Sequence, residues 1–413
     1  MGFNYKKNKL YCDGVLAGSI AKKFGTPLYV YSYDEIKNNF QAYEKAFKGV
    51  PHLVCYALKT NSNIGVAHEL AKLGAGIDIV SGGELFRAKK AGFSNNKIVY
   101  AGVGKTEDEI AYALKSNILM FNVESMAELE AINKIAGKMK MTARISLRVN
   151  PDVDPKTHPY IATGLAESKF GIEIKDARKY YKRANSLKNI NTVGVHMHIG
   201  SQLMSIEPYV EAVRKILKLV HDLKKDGIVL QYIDCGGGLG ISYKGEKAPT
   251  PLHLFKKIGT ILKKEKLTIL LEPGRSIVGN AGILITKVLY NKKSSKKNFI
   301  IIDAGMNDLM RPSLYDAYHE IIPLNNTNSK IVKADVVGPI CESGDYLAKN
   351  RSIRTVNEGD YLAVKSSGAY GFSMSSNYNS RKRAAEVIVK GKKARLVRKR
   401  ETNNDLIKGE NTI

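Results

Sequence analysis

LVCYALKTNSNIGVAHELAKLGAGIDIVS, residues 53–81, holds one full period of the pattern that decides the fold. An apolar segment, LVCYALK (53–59), runs into a polar turn. VAHELAKL (66–73) then repeats its apolar residues at helical spacing, and GIDIVS (76–81) is apolar again. The same alternation continues through KIVYAG (97–102), LMFNV (119–123), ISLRVN (145–150), VGVHMHIG (193–200), YIDCGGG (232–238) and ILLEPG (269–274). Helical stretches such as SMAELEAINKI (125–135) and PYVEAVRKILKLVHDLKK (208–225) lie between them. Continuous apolar strands alternating with helices imply a parallel sheet covered on both faces. Eight such units close naturally into a β/α barrel.

Beyond residue 275 the pattern changes. ILITKVLY (283–290), NFIIIDAG (298–305), KIVKADVVG (330–338), DYLAVKSSG (360–368) and AAEVIVKG (384–391) alternate more strictly and are separated by turns. They predict a mostly antiparallel β-barrel or sandwich domain, to which NKLYCDGV and PLYVYS near the N-terminus add strands. The expected organisation is α/β plus β: a (β/α)8 TIM barrel over 29–275, and a β domain from 1–28 and 276–413. The tail from about Glu401 is polar and reads as partly frayed.

Composition narrows the class. The 413 residues suit two domains, and 44% hydrophobic residues are enough for a large core. No apolar run approaches the roughly 20 residues that span a bilayer. The N-terminal MGFNYKKNKLYCDG lacks a signal-peptide core. Cys12, Cys55, Cys235 and Cys341 show no metal spacing and read as free thiols in a reducing, cytoplasmic compartment. The net charge of +26 raises the question of a nucleic-acid partner. The basic runs, at 6–9, 263–266, 292–297 and 390–400, are dispersed and carry no recognition motif, so a lysine-rich surface is the simpler expectation.

In β/α barrels the site lies at the C-terminal ends of the strands. Lys59 is predicted there, together with Asp78, Ser81, His196, His198, the CGGG loop, Glu272 and Arg275. A lysine at a strand end often only snorkels to solvent, but its neighbours here are unusual. CGGGLGI (235–241) has three consecutive glycines, more than a tight turn needs, and lets backbone N–H groups approach an anion. HMHIGSQ (196–202) offers a histidine to lie over a ring, and Ser201 as a phosphate donor. Without a third ligand at the usual spacing, no metal is expected. In LEPGRS (271–276) a carboxylate facing a pyridine nitrogen would keep that nitrogen protonated. Lysine, phosphate cradle, stacking imidazole and ring carboxylate together describe a pyridoxal phosphate site, with Lys59 holding the cofactor as a Schiff base.

YALKTNSN (56–63), DIVSGGEL (78–85), AGVGKT (101–106), HIGSQ (198–202), CGGGLGISY (235–243), EPGRSIVGNAG (272–282), RPSLYDAYHEI (311–321), VGPICESGDYLA (337–348) and GAYGFSMSSNYNSR (368–381) resemble the diaminopimelate decarboxylases. These belong to the fold type III pyridoxal-phosphate decarboxylases and racemases. The resemblance runs from about residue 10 to the end of the chain. It implies Lys59 as the cofactor lysine. Gly237, Gly238, Ser201 and the stretch Glu272, Pro273, Gly274 and Arg275 would hold phosphate and ring. His198 would stack, and Tyr370 would touch cofactor and substrate. Arg275, Arg311 and Tyr315 would bind the far end of the substrate. Cys341 and Glu342 would come from the partner subunit of an obligate homodimer with shared sites. From the residues alone, Cys341 reads as a small buried thiol and Arg311 as a loop arginine. Thr60, Met197 and Lys382 stand where the family often has alanine, cysteine and proline.

The reaction so implied is decarboxylation of meso-diaminopimelate at its D centre to L-lysine and carbon dioxide. Cys341 would protonate the carbanion. Arginine forks suit the distal carboxylate; an acid in their place would suit ornithine or another basic amino acid. A racemase would carry an arginine where Glu272 stands.

Overall fold

The computed structural model describes residues 2–154 and 169–412. The chain forms two compact units, one of residues 39–241 and 247–276, the other of residues 1–38, 242–246 and 277–413.

The first unit is a closed barrel of eight parallel strands. These are β1 (His52–Ala57), β2 (Gly76–Ile79), β3 (Ile98–Tyr100), β4 (Met120–Val123), β5 (Ala143–Asn150), β6 (Ile190–His196), β7 (Tyr232–Asp234) and β8 (Thr268–Leu271). Neighbours in sequence pair throughout, and β8 closes on β1 with Ile269 opposite His52. Cys55, Val99, Met120, Val193 and Leu270 pack together as one buried apolar cluster contributed by five different strands. The loops leaving β1, β2 and β3 start helices by side-chain capping. Asn63 accepts from Gly65 N–H at 2.8 Å and opens the helix Ile64–Lys72. Ser81 does the same for Gly82–Ala91 through Glu84 N–H. Thr106 and Glu109 form a reciprocal box ahead of Glu107–Lys115. After β1, β2 and β3 the polar residues are therefore helix starts as well as rim groups, and Ser81 serves as a cap.

The second unit holds a mixed sheet in which Gly282–Lys293 pairs antiparallel with Leu28–Ser32, Asn298–Ile302 and Tyr361–Val364. Two pairings are parallel: Leu28–Ser32 with Ala385–Lys390, and Asn298–Ile302 with Ile331–Val337. Leu28, Val30, Ile283, Ile285, Ala363 and Val387 form its core. PLYVYS thus enters this sheet, whereas NKLYCDGV lies in a separate three-stranded sheet. The strand Tyr346–Arg354 went unread in the sequence, because YLAKNRSIR carries too many polar residues to alternate cleanly. Part of the basic run 390–400 is an edge strand, Lys393–Arg398, and charge on an edge discourages unwanted pairing. The tail is ordered further than expected: Thr402 and Asp405 cap the short helix Asn403–Leu406, and Glu401 pairs with Arg383.

Candidate active site

Strand β1 ends at Ala57, two residues earlier than its apolar run suggests, and Lys59 sits in a 3-10 turn, Leu58–Thr60. The turn is fixed by the Thr60 hydroxyl, which donates to the Ala57 carbonyl at 2.8 Å. Lys59 Nζ reaches Asp78 Oδ2 at 3.3 Å. The lysine side chain is 37% exposed and the aspartate wholly buried, so the amine stands where the barrel interior meets solvent.

Strand β6 likewise stops at His196, which leaves His198 on the loop. Gly237 N–H donates to His198 Nδ1 at 3.2 Å, so that nitrogen carries a lone pair. Burial, with Lys59 and Arg148 nearby, holds the His198 pKa well below its ordinary value. The imidazole is neutral and its ring orientation is set. A Cβ on Gly237 would collide with the Glu272 carbonyl oxygen, while Gly236 and Gly238 take φ of +65° and +119°. Three glycines are needed for two reasons, close approach and left-handed backbone. Leu203 N–H binds the Gly238 carbonyl at 2.9 Å and stitches the segment after Ser201 to this loop. Arg275 Nη2 donates to Ser201 Oγ at 3.0 Å. The Pro273 carbonyl accepts from Ala57 N–H at 3.1 Å, tying the EPGR turn to the lysine turn.

Three buried carboxyls share the barrel interior. Burial raises the Glu272 pKa, but His196, at 3.3 Å, and Lys59 overcome this and hold it well below the usual carboxylate range. Asp78 goes the other way: burial and the negative Glu272 push it up to about 8 against the pull of Lys59. Asp234 is likewise raised, by burial and then by Glu272. Asn122 Nδ2 bridges Asp234 Oδ2 at 3.4 Å and Glu272 Oε1 at 3.3 Å, and its own oxygen accepts from Ser146. Of these three, Glu272 is the one held ionised, braced by a histidine and an amide. Ligand atoms of His196, Asp234 and Glu272 lie within 4.8 Å of one another, a spacing that a metal could use, but here His196 and Asn122 tie the carboxyls together.

In the second unit Arg311 starts the short helix Arg311–Tyr315 and is buried. Its Nη1 donates to His319 Nε2 at 2.8 Å, and His319 Nδ1 meets the Lys365 carbonyl at 2.8 Å. Arginine only donates and a carbonyl only accepts, so His319 is the neutral Nδ1–H tautomer. The guanidinium also lies 5.0 Å from the centre of the Tyr243 ring. Tyr315 ends the same helix, half-buried. Tyr370 takes φ of +57°, unusual for a bulky side chain, in the turn between Gly368 and Gly371. Cys341 is exposed rather than a buried thiol, and Glu342 beside it is exposed too.

Residues 33–279 match the family model described as the pyridoxal-dependent decarboxylase, pyridoxal binding domain. A diaminopimelate decarboxylase of Aquifex aeolicus is 56% identical over 98% of this chain and 96% of its own length. The chain belongs to the diaminopimelate decarboxylases. The crystal structure of such a decarboxylase from Helicobacter pylori, complexed with L-lysine, is 47% identical with a TM-score of 0.92, covering 94% of this chain and 98% of that one. That from M. jannaschii in co-complex with L-lysine is 43% identical with a TM-score of 0.95, covering 100% and 98%.

The barrel of this diaminopimelate decarboxylase fits pyridoxal phosphate on its own geometry. It offers a half-exposed amine, a glycine loop with no room for a side chain, a neutral imidazole and an ionised buried carboxylate. Sequence reasoning missed Asn122, Asp234, Tyr243 and His319. Asn122 and Asp234 look like ordinary strand residues until the barrel closes. His319 is printed in the RPSLYDAYHEI block, and only the fold turns it toward Arg311. Among the described residues no helix is long and apolar enough to cross a membrane.

Proposed function

We propose that this decarboxylase acts on meso-2,6-diaminopimelate, removes the carboxylate at the D centre and releases L-lysine and carbon dioxide. The observation that carries the substrate choice is Arg311, a buried guanidinium oriented by a neutral histidine. A fork fixed in this way suits a distal carboxylate, and Arg275 and Tyr315 assist it. Bound pyridoxal phosphate supplies the sink for the electron pair left by the departing carboxylate. Lys59 holds it covalently. Glu272 would keep the ring nitrogen protonated, and His198 would lie against the ring. Gly237, Gly238, Ser201 and the turn Pro273–Gly274–Arg275 take the phosphate. Tyr370 contacts both cofactor and substrate. Cys341 of the partner subunit delivers the proton to the carbon that lost its carboxylate, a task for a side-chain general acid within reach of that carbon. Glu342 of the partner subunit takes the distal ammonium. The working enzyme is a homodimer in the cytoplasm.

The test is carbon dioxide release and lysine formation by the purified protein with pyridoxal phosphate, offered diaminopimelate, ornithine, arginine and lysine side by side. Turnover of diaminopimelate alone is expected. Lys59→Ala should lose both turnover and the visible absorbance of lysine-bound cofactor. Arg311→Ala should lower kcat/KM for diaminopimelate by roughly 100-fold, the weight of a charge-assisted contact. Turnover of a basic amino acid in its place would overturn the substrate assignment.

A further inference from the structure

Cys341 and Glu342 sit on the turn between the strands Ile331–Val337 and Tyr346–Arg354, beyond the last paired residues, Val337 and Tyr346. Sheet pairing therefore does not aim them. Asp345 pins the base of the turn, accepting from Ile340 N–H and Met306 N–H, each at 2.6 Å. The tip is held from a different segment. Cys341 N–H donates to Asn379 Oδ1 at 2.7 Å, and Tyr378 OH donates to Glu342 Oε2 at 3.2 Å. Two adjacent residues thus grip two adjacent residues, one through the backbone and one through the side chain.

The grip has a backbone cost. Asn379 and Ser380 are both left-handed, with φ of +55° and +52°. Consecutive non-glycine residues in that region persist only where the surroundings fix them, and such sites cluster at functional positions. Asparagine is among the few residues that tolerate the conformation. Its amide oxygen accepts from the Cys341 backbone N–H.

We propose that Asn379 and Tyr378 are positioning residues, Asn379 aiming the Cys341 thiol and Tyr378 aiming the Glu342 carboxylate. This rests on Cys341 as proton donor and Glu342 as ammonium ligand. In the step concerned a C–H bond forms at the carbon that lost carbon dioxide. The S–H bond breaks, its electron pair stays on sulfur, and solvent later reprotonates the thiolate. A proton donor displaced by about 1 Å loses on the order of 100-fold in rate, whereas a loosened ammonium ligand weakens substrate binding.

The experiment uses the holoenzyme and has two independent readouts. The first is kinetics in D2O, following the configuration of the deuterium placed on the lysine ε-carbon. Asn379→Ala should lower kcat by at least roughly tenfold and scramble that configuration. Tyr378→Phe should raise KM for diaminopimelate with kcat and labelling nearly intact. Asn379→Asp keeps an acceptor for the same N–H and should restore labelling, which separates positioning from a folding defect. The second readout needs no turnover. Cys12, Cys55 and Cys235 are buried within the chain itself, so iodoacetamide, small enough to enter where the substrate does, reports Cys341. Asn379→Ala should speed its alkylation roughly fivefold by freeing the turn. An alkylation rate and a labelling pattern both unchanged in Asn379→Ala would overturn the positioning role. Wild-type rate and labelling in Cys341→Ala would instead remove the proton-donor reading on which it rests.

Discussion

Asp78 and Glu272 carry the same functional group in the same barrel and end on opposite sides of neutrality. Burial raises both. Glu272 has His196 at 3.3 Å and the amine of Lys59 to outweigh burial; Asp78 has Lys59 but also feels the charge of Glu272. The contact of Lys59 with Asp78 is therefore, near neutral pH, a hydrogen bond to a largely protonated acid rather than a full ion pair. The consequence for stability can be signed. An unfolded aspartate has a pKa of about 3.9. Between there and about 8 the native state holds a proton that the unfolded state does not, so Asp78 makes stability fall as pH rises through that window. The slope is at most about 1.4 kcal/mol per pH unit. Glu272, with its pKa lowered, contributes stability that is present above about 4.3 and is lost as pH falls through its native value. Urea unfolding of the cofactor-stripped protein from pH 5 to 8 should show a shallower decline for Asp78→Asn than for the wild type. Equal slopes would mean that Asp78 titrates like an exposed acid.

The strands were legible because burial on both faces leaves an apolar run with few alternatives. Their ends were not, because the residues that stop a strand also do other work. LVCYALK reads as one strand, yet Thr60 and Asn63 bend its last two residues into a turn and a helix start. That bend is what lifts Lys59 clear of the sheet. The same holds for His198 beyond β6. The three glycines stood out in the sequence as more than a tight turn needs, but the neighbour that leaves Gly237 no room for a side chain, the Glu272 carbonyl, is distant in sequence and becomes visible only in the fold. Arg311 was reached through resemblance alone, and the side chains that orient it, His319 and Tyr243, carry no signal of their own in the chain. The loop supports a prediction at this scale. Gly237 does not have positive φ, so alanine there is a purely steric change against backbone. Gly237→Ala should cost roughly 1–3 kcal/mol of stability, as overpacking does. It should also weaken pyridoxal phosphate binding by at least tenfold, since the displaced carbonyl belongs to Glu272. Fluorescence titration with the cofactor checks the second point, and unchanged affinity would show that the loop does not cradle it.

With 65 lysines and arginines against 39 acids, the whole molecule repels itself. Two kinds of charge must be separated before predicting what salt does. Buried pairs such as Lys105–Glu128 at 2.7 Å, with side chains 1% and 8% exposed, are screened little. Exposed pairs such as Arg183–Glu130 contribute about 0–1 kcal/mol each and lose that in salt. The excess positive charge acts in the opposite sense, and 26 unbalanced charges outnumber the exposed pairs described. Raising sodium chloride from about 0.01 M to 0.15 M shortens the screening length from about 30 Å to 8 Å. The thermal midpoint of the holoenzyme should therefore rise over that range, because repulsion between dispersed lysines is relieved more than attraction is lost. The same dispersal predicts that any retention on a phosphate matrix is lost in the same interval without preference for sequence. A midpoint that falls with salt would mean that exposed pairs outweigh the net charge. Retention that survives 0.15 M salt would mean that the basic runs converge on one face to bind a polyanion.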